Sequence, residues 1–253
     1  MCIAMSGACR KPDSKRQRKA ILREMKSIVE VVKRHALRHR DLLDQEWHQT
    51  DLSRLQVEVI LRRIDSVLEQ IPAGKRQAHE RLIGGRKVSS SGKILSLYDA
   101  NLHVITRGKA GAAVEFGNTL FIAQQELGYI IDHELLEGSS PGDAQILLKR
   151  YESLERAAKN MKALSGDRGF DSQATRKLLS EKKVYNVLCP RAPKELARRL
   201  QEEEKFQKLL KQRSRIEARI SILKNVFLQG TPKAKGYKNR SLQVTWAVSS
   251  HNL

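Results

Sequence analysis

Apolar residues recur at spacings of three and four along the first eighty positions, the period of an amphipathic helix. Ile21, Met25, Ile28, Val32 and Ala36 mark one helix between about Pro12 and Glu46. A polar break, HQTD, follows, with Thr50 and Asp51 as candidate N-caps. Val57, Ile60, Ile64, Val67 and Ile71 then carry a second helix as far as Pro72, where a missing N–H should end it. A third short helical stretch runs from Ala73 to Ile83. The pattern predicts two antiparallel helices packed on each other.

At GGRKVSSSGK the period is lost, and glycine, serine and lysine mark a loop and a boundary. Strand-like runs come next: Ile94 to Tyr98, His103 to Arg107, Thr119 to Gln124 and Tyr129 to Leu135. Gly117 and the turn from Glu126 to Gly128 separate the later ones, which predicts an antiparallel hairpin. Pro141 and Asp143 open a helix to about Ala158. A short strand ending at Gly166 then delivers Asp167, and a further helix starts near Asp171. After a short strand near Val184 to Asn186, a long helix is expected from about Ala192 to Leu228, with Glu203 as the place for a break. A basic loop, GTPKAKGYKNR, leads to a last apolar helix from Leu242 to about Val248; Lys233, Lys235, Lys238 and Arg240 are candidate phosphate contacts there. The fold class is α/β.

Charge narrows the partners. The chain carries 48 Lys and Arg against 28 Asp and Glu, a formal net charge of +20. Such a field favours a polyanion, most simply nucleic acid. With only 5% aromatic residues there are few platforms for stacked single-stranded bases, so duplex backbone is the favoured target. Cys2, Cys9 and Cys189 are too few for a disulfide framework or a zinc ribbon, no apolar run is long enough to span a bilayer, and a cytoplasmic location is expected. His35 and His39 lie one turn apart but lack an HExxH context and a third ligand. Gly92-Lys93 and Gly108-Lys109 lack the rest of a phosphate loop.

Two stretches carry candidate chemistry. In RSRIEARISILK, at about 100° per residue, Arg213, Glu217 and Lys224 fall within roughly a 40° arc. Leu209, Ile216, Ile220, Leu223 and Phe227 form an apolar stripe beside them, which should hold Glu217 at the edge of a buried seam. In MKALSGDRGF, Asp167 stands where a strand stops, at the mouth of the usual α/β ligand crevice.

GDRGFDS (Gly166 to Ser172) followed by R-x3-E-x6-K (Arg213, Glu217, Lys224) resembles the DDE transposases of bacterial insertion sequences, and Lys93 to Ala123 resembles their ISNCY-type branch. The position three before Arg213, usually Tyr there, is Leu210. The resemblance implies a ribonuclease H-like core over 89–253, preceded by a basic helical insertion over 1–88. It implies metal-dependent DNA cleavage and strand transfer, with Mg²⁺ (or Mn²⁺) held by three carboxylates. Asp167 would be the second and Glu217 the third, with Arg213 and Lys224 positioning phosphates of double-stranded DNA. The first carboxylate belongs to a strand ahead of the helical insertion. No such strand precedes Pro12, and Asp99 and Asp132 are poor substitutes. The expectation is therefore a transposase truncated at its N-terminus, lacking the first strand of its core and inactive alone, with a homodimer left open. The other reading is a basic DNA-binding fragment that does no chemistry.

Overall fold

The computed structural model describes residues 14–86, 88–89, 92–106, 114–230 and 234–253. The chain forms two compact units, 1–117 and 118–253.

In the first unit, α1 (Ser14–Glu46) and α2 (Arg54–Leu82) run antiparallel, joined through a short 3₁₀ turn at Trp47–Gln49. Ion pairs of Arg40 with Asp65, Arg54 with Asp44 and Lys75 with Glu30 tie the two helices along their length. Helix α2 is capped by Ser53 rather than by Thr50 or Asp51: the Ser53 hydroxyl accepts from the Gln56 N–H, and the Gln56 side chain accepts from the Ser53 N–H. Pro72 does not end this helix, and the expected third helix is its continuation. The missing N–H costs one internal bond, but Ile71 is buried and the Lys75–Glu30 pair holds the next turn against α1.

The run Ile94 to Tyr98 is not a strand. The Gln77 side chain pairs with both backbone groups of Ile94, donating to its carbonyl at 2.9 Å and accepting from its N–H at 2.8 Å, which replaces a strand partner. Two strands follow, β1 (His103–Thr106) and β2 (Val114–Gly117), paired antiparallel; β2 was not foreseen. Arg107, Gly108 and Lys109 lie outside the described residues.

The second unit opens with the expected hairpin, β3 (Leu120–Gln124) and β4 (Ile130–Leu135), antiparallel about a turn in which Gly128 takes φ +94°. Next come α3 (Asp143–Ala157), β5 (Ala163–Gly166), α4 (Gln173–Glu181) and β6 (Tyr185–Leu188), with β5 and β6 parallel. Phe121 of β3, Ile146, Leu147, Tyr151 and Leu154 of α3, Leu179 of α4 and Leu188 of β6 share one core. Phe121 meets Phe170 edge to face at 6.3 Å across it.

The predicted long helix is three helices and a wider turn: α5 (Pro193–Glu202), α6 (Glu204–Gln212), α7 (Ser214–Ile222) and a π-helical turn at Leu223–Phe227. The break at Glu203 is pinned. Tyr185 donates to its carboxylate at 2.6 Å, and Arg199 donates to both oxygens while stacking 3.9 Å over the Phe206 ring. These bonds, Arg199 first, hold the Glu203 pKa down to about 2. Helix α8 (Tyr237–Asn252) closes the unit and is longer than its apolar run, packing Val244, Ala247 and Val248 against Ile130, Leu135 and Leu223.

Candidate active site

The site is built on GDRGFDS, and each residue of that stretch has a local task. Gly166 ends β5 where an added Cβ would lie 2.9 Å from a Leu188 methyl and 3.2 Å from the Phe170 ring, so the strand can lie this close to its neighbours only with glycine. Asp167 follows at the carboxyl end of the parallel strand, and Arg168–Phe170 make a 3₁₀ turn closed by the Phe170 N–H on the Asp167 carbonyl at 3.0 Å. Gly169 lies against Asp143, the first residue of α3: a Cβ there would fall 1.9 Å from the Asp143 Oδ2. Ser172 caps α4, and its reciprocal partner Thr175 is fully buried.

Asp171 anchors the loop from beneath. It is buried, and both its oxygens accept from Arg176, at 2.6 and 2.7 Å; one also accepts the Arg191 N–H at 3.0 Å. Arg176 reaches on to Glu195 at the start of α5. The Arg191 side chain donates to the carbonyls of Arg168 and Gly169. The guanidinium of Arg176 holds the Asp171 carboxyl below the usual carboxylate range, whereas burial, aided by the nearby Asp167 charge, pushes Asp143 up. None of this support was anticipated from the sequence. The one signal was the second Asp of GDRGFD, an acid just ahead of a helix N-terminus with an Arg five residues on.

Of the four predicted site residues, three come together. Arg213, at the join of α6 and α7, donates from Nη1 to Asp167 Oδ1, and the same nitrogen lies 3.6 Å from Glu217 Oε1. One guanidinium thus links the carboxylate at the end of β5 to the carboxylate on α7. The tighter winding at Arg213, where Ile216 N–H bonds back three residues at 3.1 Å, places that side chain between the two. Both carboxylates are 66% exposed, and Glu217 lies at the edge of a seam, Ile216 and Ile220, that is itself only half-buried, so its carboxylate projects into solvent. Lys224 is exposed within the π-helical turn, about two turns beyond Glu217.

The other candidates are occupied elsewhere. Asp132 is buried and paired twice with Arg150. Arg240 is not a phosphate contact: it is buried, and its Nε donates to Asn118. Lys233 lies outside the described residues, whereas Lys235 and Lys238 are exposed. The rings of His35 and His39 stack at 6.4 Å.

Asp167 and Glu217 offer the hard oxygen donors that a divalent cation takes. Among the described residues, however, no group of three Asp, Glu, His or Cys side chains is placed to hold a metal ion, and a guanidinium binds the pair. By themselves these residues do not complete a three-carboxylate ion site.

A carboxylate at the end of a parallel strand, linked through one arginine to a second carboxylate on a helix, defines an α/β protein with a site for a charged ligand. The family model described as Transposase DDE domain matches residues 126–253, half of the chain and all of this site, and the chain belongs to that family. Membership makes DNA the substrate class. No curated protein and no solved structure matches the chain. Among the described residues no helix is long and apolar enough to cross a membrane.

Proposed function

We propose that this chain is an insertion-sequence transposase of the ISNCY type, in which Asp167 and Glu217 are two of the three catalytic carboxylates and Arg213 and Lys224 face the phosphates of duplex DNA. The observation that carries the reading is the Arg213 bridge, which joins residues 46 and 4 positions away from it into one site within the family-matched segment. The hairpin, helix, parallel pair and Glu-bearing helix, in that order, support a ribonuclease H-like core, with 1–88 as a basic helical insertion ahead of 89–253. When bound on such carboxylates, Mg²⁺ or Mn²⁺ supplies phosphodiester cleavage and strand transfer. The residues of this chain supply the rest: Arg213 as a planar fork and Lys224 as a point charge, both positioning phosphate.

In this reading the first of the three carboxylates is not among the described residues, and the chain alone binds duplex DNA without cutting it. A second reading, a DNA-binding fragment with no chemistry in any setting, draws on the same guanidinium between the carboxylates.

The test is duplex affinity. In Asp167→Asn/Glu217→Gln the two charges that neutralise Arg213 are gone, and affinity should rise by about threefold to tenfold, while Arg213→Ala should lower it by a similar factor. Unchanged affinity in both variants would place the DNA away from this site.

A further inference from the structure

Helix α1 carries two apolar faces. One serves the pairing with α2: Leu22 is buried, and Val29, Ala36 and Leu43, which follow it at seven-residue intervals, are half-buried. The other lies roughly 100° around the helix. Ile21, Ile28, His35 and Leu42 recur there every seven residues, and Met25, Val32 and His39 fall four residues after the first three. That spacing is the seam of a coiled coil, sustained over about three heptads. Yet Ile28 is 49%, Val32 57% and Leu42 38% exposed, and both histidines are exposed with them. Single exposed apolar residues are ordinary on a surface, but a periodic row of them on one helix is not.

The flank of this row carries a charge pattern. Glu24, Val31 and Arg38 stand at seven-residue intervals on the side away from α2, and all three are exposed. The ion pairs with α2 use other residues of α1, namely Glu30, Arg40 and Asp44. An acid and a base set equally on either side of Val31 answer each other under a two-fold rotation. With α1 of a second copy antiparallel, Glu24 of each lies against Arg38 of the other, twice, and the two Val31 side chains meet at the axis. The same register sets Ile28 of each copy against Val32 of the other. Its axis falls one residue from Glu30, the midpoint of Ser14–Glu46, so the two 33-residue helices overlap along nearly all of their length, about 50 Å. A parallel pairing would instead turn Glu24 and Arg38 toward Val29 and Leu43, leaving both charges unanswered.

We propose that the outer face of α1 is a homodimer interface, an isologous antiparallel pairing with α1 of a second copy of this chain. The self-complementary flank selects the occupant: a partner of unrelated sequence gives no reason for the charges of this row to match each other about its own centre. His35 and His39 place polar rings in the seam, which suits a dimer that forms and dissociates reversibly. The inference uses the first unit alone and does not rest on the catalytic reading.

Sedimentation equilibrium of the full 253-residue chain, without DNA or metal, tests it. A reversible monomer–dimer equilibrium is expected. Val32→Asp puts a charge into the seam at an exposed position and should weaken the dimer by about a hundredfold or more, with unchanged circular dichroism. Glu24→Arg and Arg38→Glu each bring like charges together at both flanks and should each weaken it by about tenfold, whereas Glu24→Arg/Arg38→Glu restores opposite charges and should regain the wild-type affinity. Should Val32→Asp unfold, the charge exchange decides alone, since it leaves the apolar row intact. A wild type that stays monomeric across the concentration series overturns the proposal, as does a dimer that Val32→Asp leaves unchanged. A double variant no tighter than the single ones would likewise overturn the antiparallel register.

Discussion

Arg176→Ala should destabilise the second unit by about 2–4 kcal/mol, measured as a shift in the urea unfolding midpoint. The side chain itself is 39% exposed, so the loss is not of buried arginine but of the partner of a buried acid. Asp171 has 4% of its side chain exposed and would keep only the Arg191 N–H as a donor. The low end of the range allows for solvent reaching the vacated space. Arg176→Ala/Asp171→Asn should recover part of the loss, because the uncompensated charge goes with the carboxylate. The pH dependence follows from the direction of the Asp171 shift. Its folded pKa lies below the unfolded value, so its stabilisation is complete above the unfolded pKa, near 3.9, and is lost as pH falls through the folded one. The wild type should therefore lose stability on acidification more steeply than Arg176→Ala, in which this linkage is largely absent.

Duplex affinity should fall by about three to five orders of magnitude between about 50 and about 200 mM salt if six to ten phosphates are neutralised. The charge of +20 supplies the field, and exposed cations occur in both units, among them Arg34 and Arg38 on α1 and Lys224, Lys235 and Lys238 in the second unit. Lys235→Ala should flatten the slope of log affinity against log salt by about 0.9 for one lost phosphate. Arg240→Ala should leave the slope unchanged, because its side chain is buried on Asn118. Filter binding across a salt series separates the two outcomes; an equal change in slope for both variants would contradict the placement of Arg240.

What the sequence revealed and what it concealed divide along physical lines. Local signals were legible: the 3.6-residue period of α1 and α2, the Gly128 turn of the hairpin, the strand ending at Gly166, and the weak point at Glu203, which the structure shows pinned by Tyr185 and Arg199. Failures arose where a distant partner overrode a local rule. Pro72 should have ended a helix, but tertiary packing of Ile71 and Lys75 carries it through. Ile94 reads as a strand residue, yet a single glutamine side chain satisfies its backbone. Arg240 looks like one more cation in a basic loop, and nothing local distinguishes it from Lys238. In the site itself, helical spacing brought Arg213 and Glu217 together correctly, whereas the support beneath Asp167 (Asp171, Arg176 and Arg191) depends on contacts between elements that no spacing rule encodes.

The central claim is that this chain presents two catalytic carboxylates and binds duplex DNA without cutting it. A supercoiled-plasmid assay in Mg²⁺ at low salt tests it most directly, with gel retardation and topology read from the same samples. The account predicts a retarded plasmid that remains supercoiled, in the wild type and in Asp167→Asn alike. Mg²⁺-dependent nicking by the wild type that disappears in Asp167→Asn would contradict it, and would show that the chain completes its catalytic set unaided.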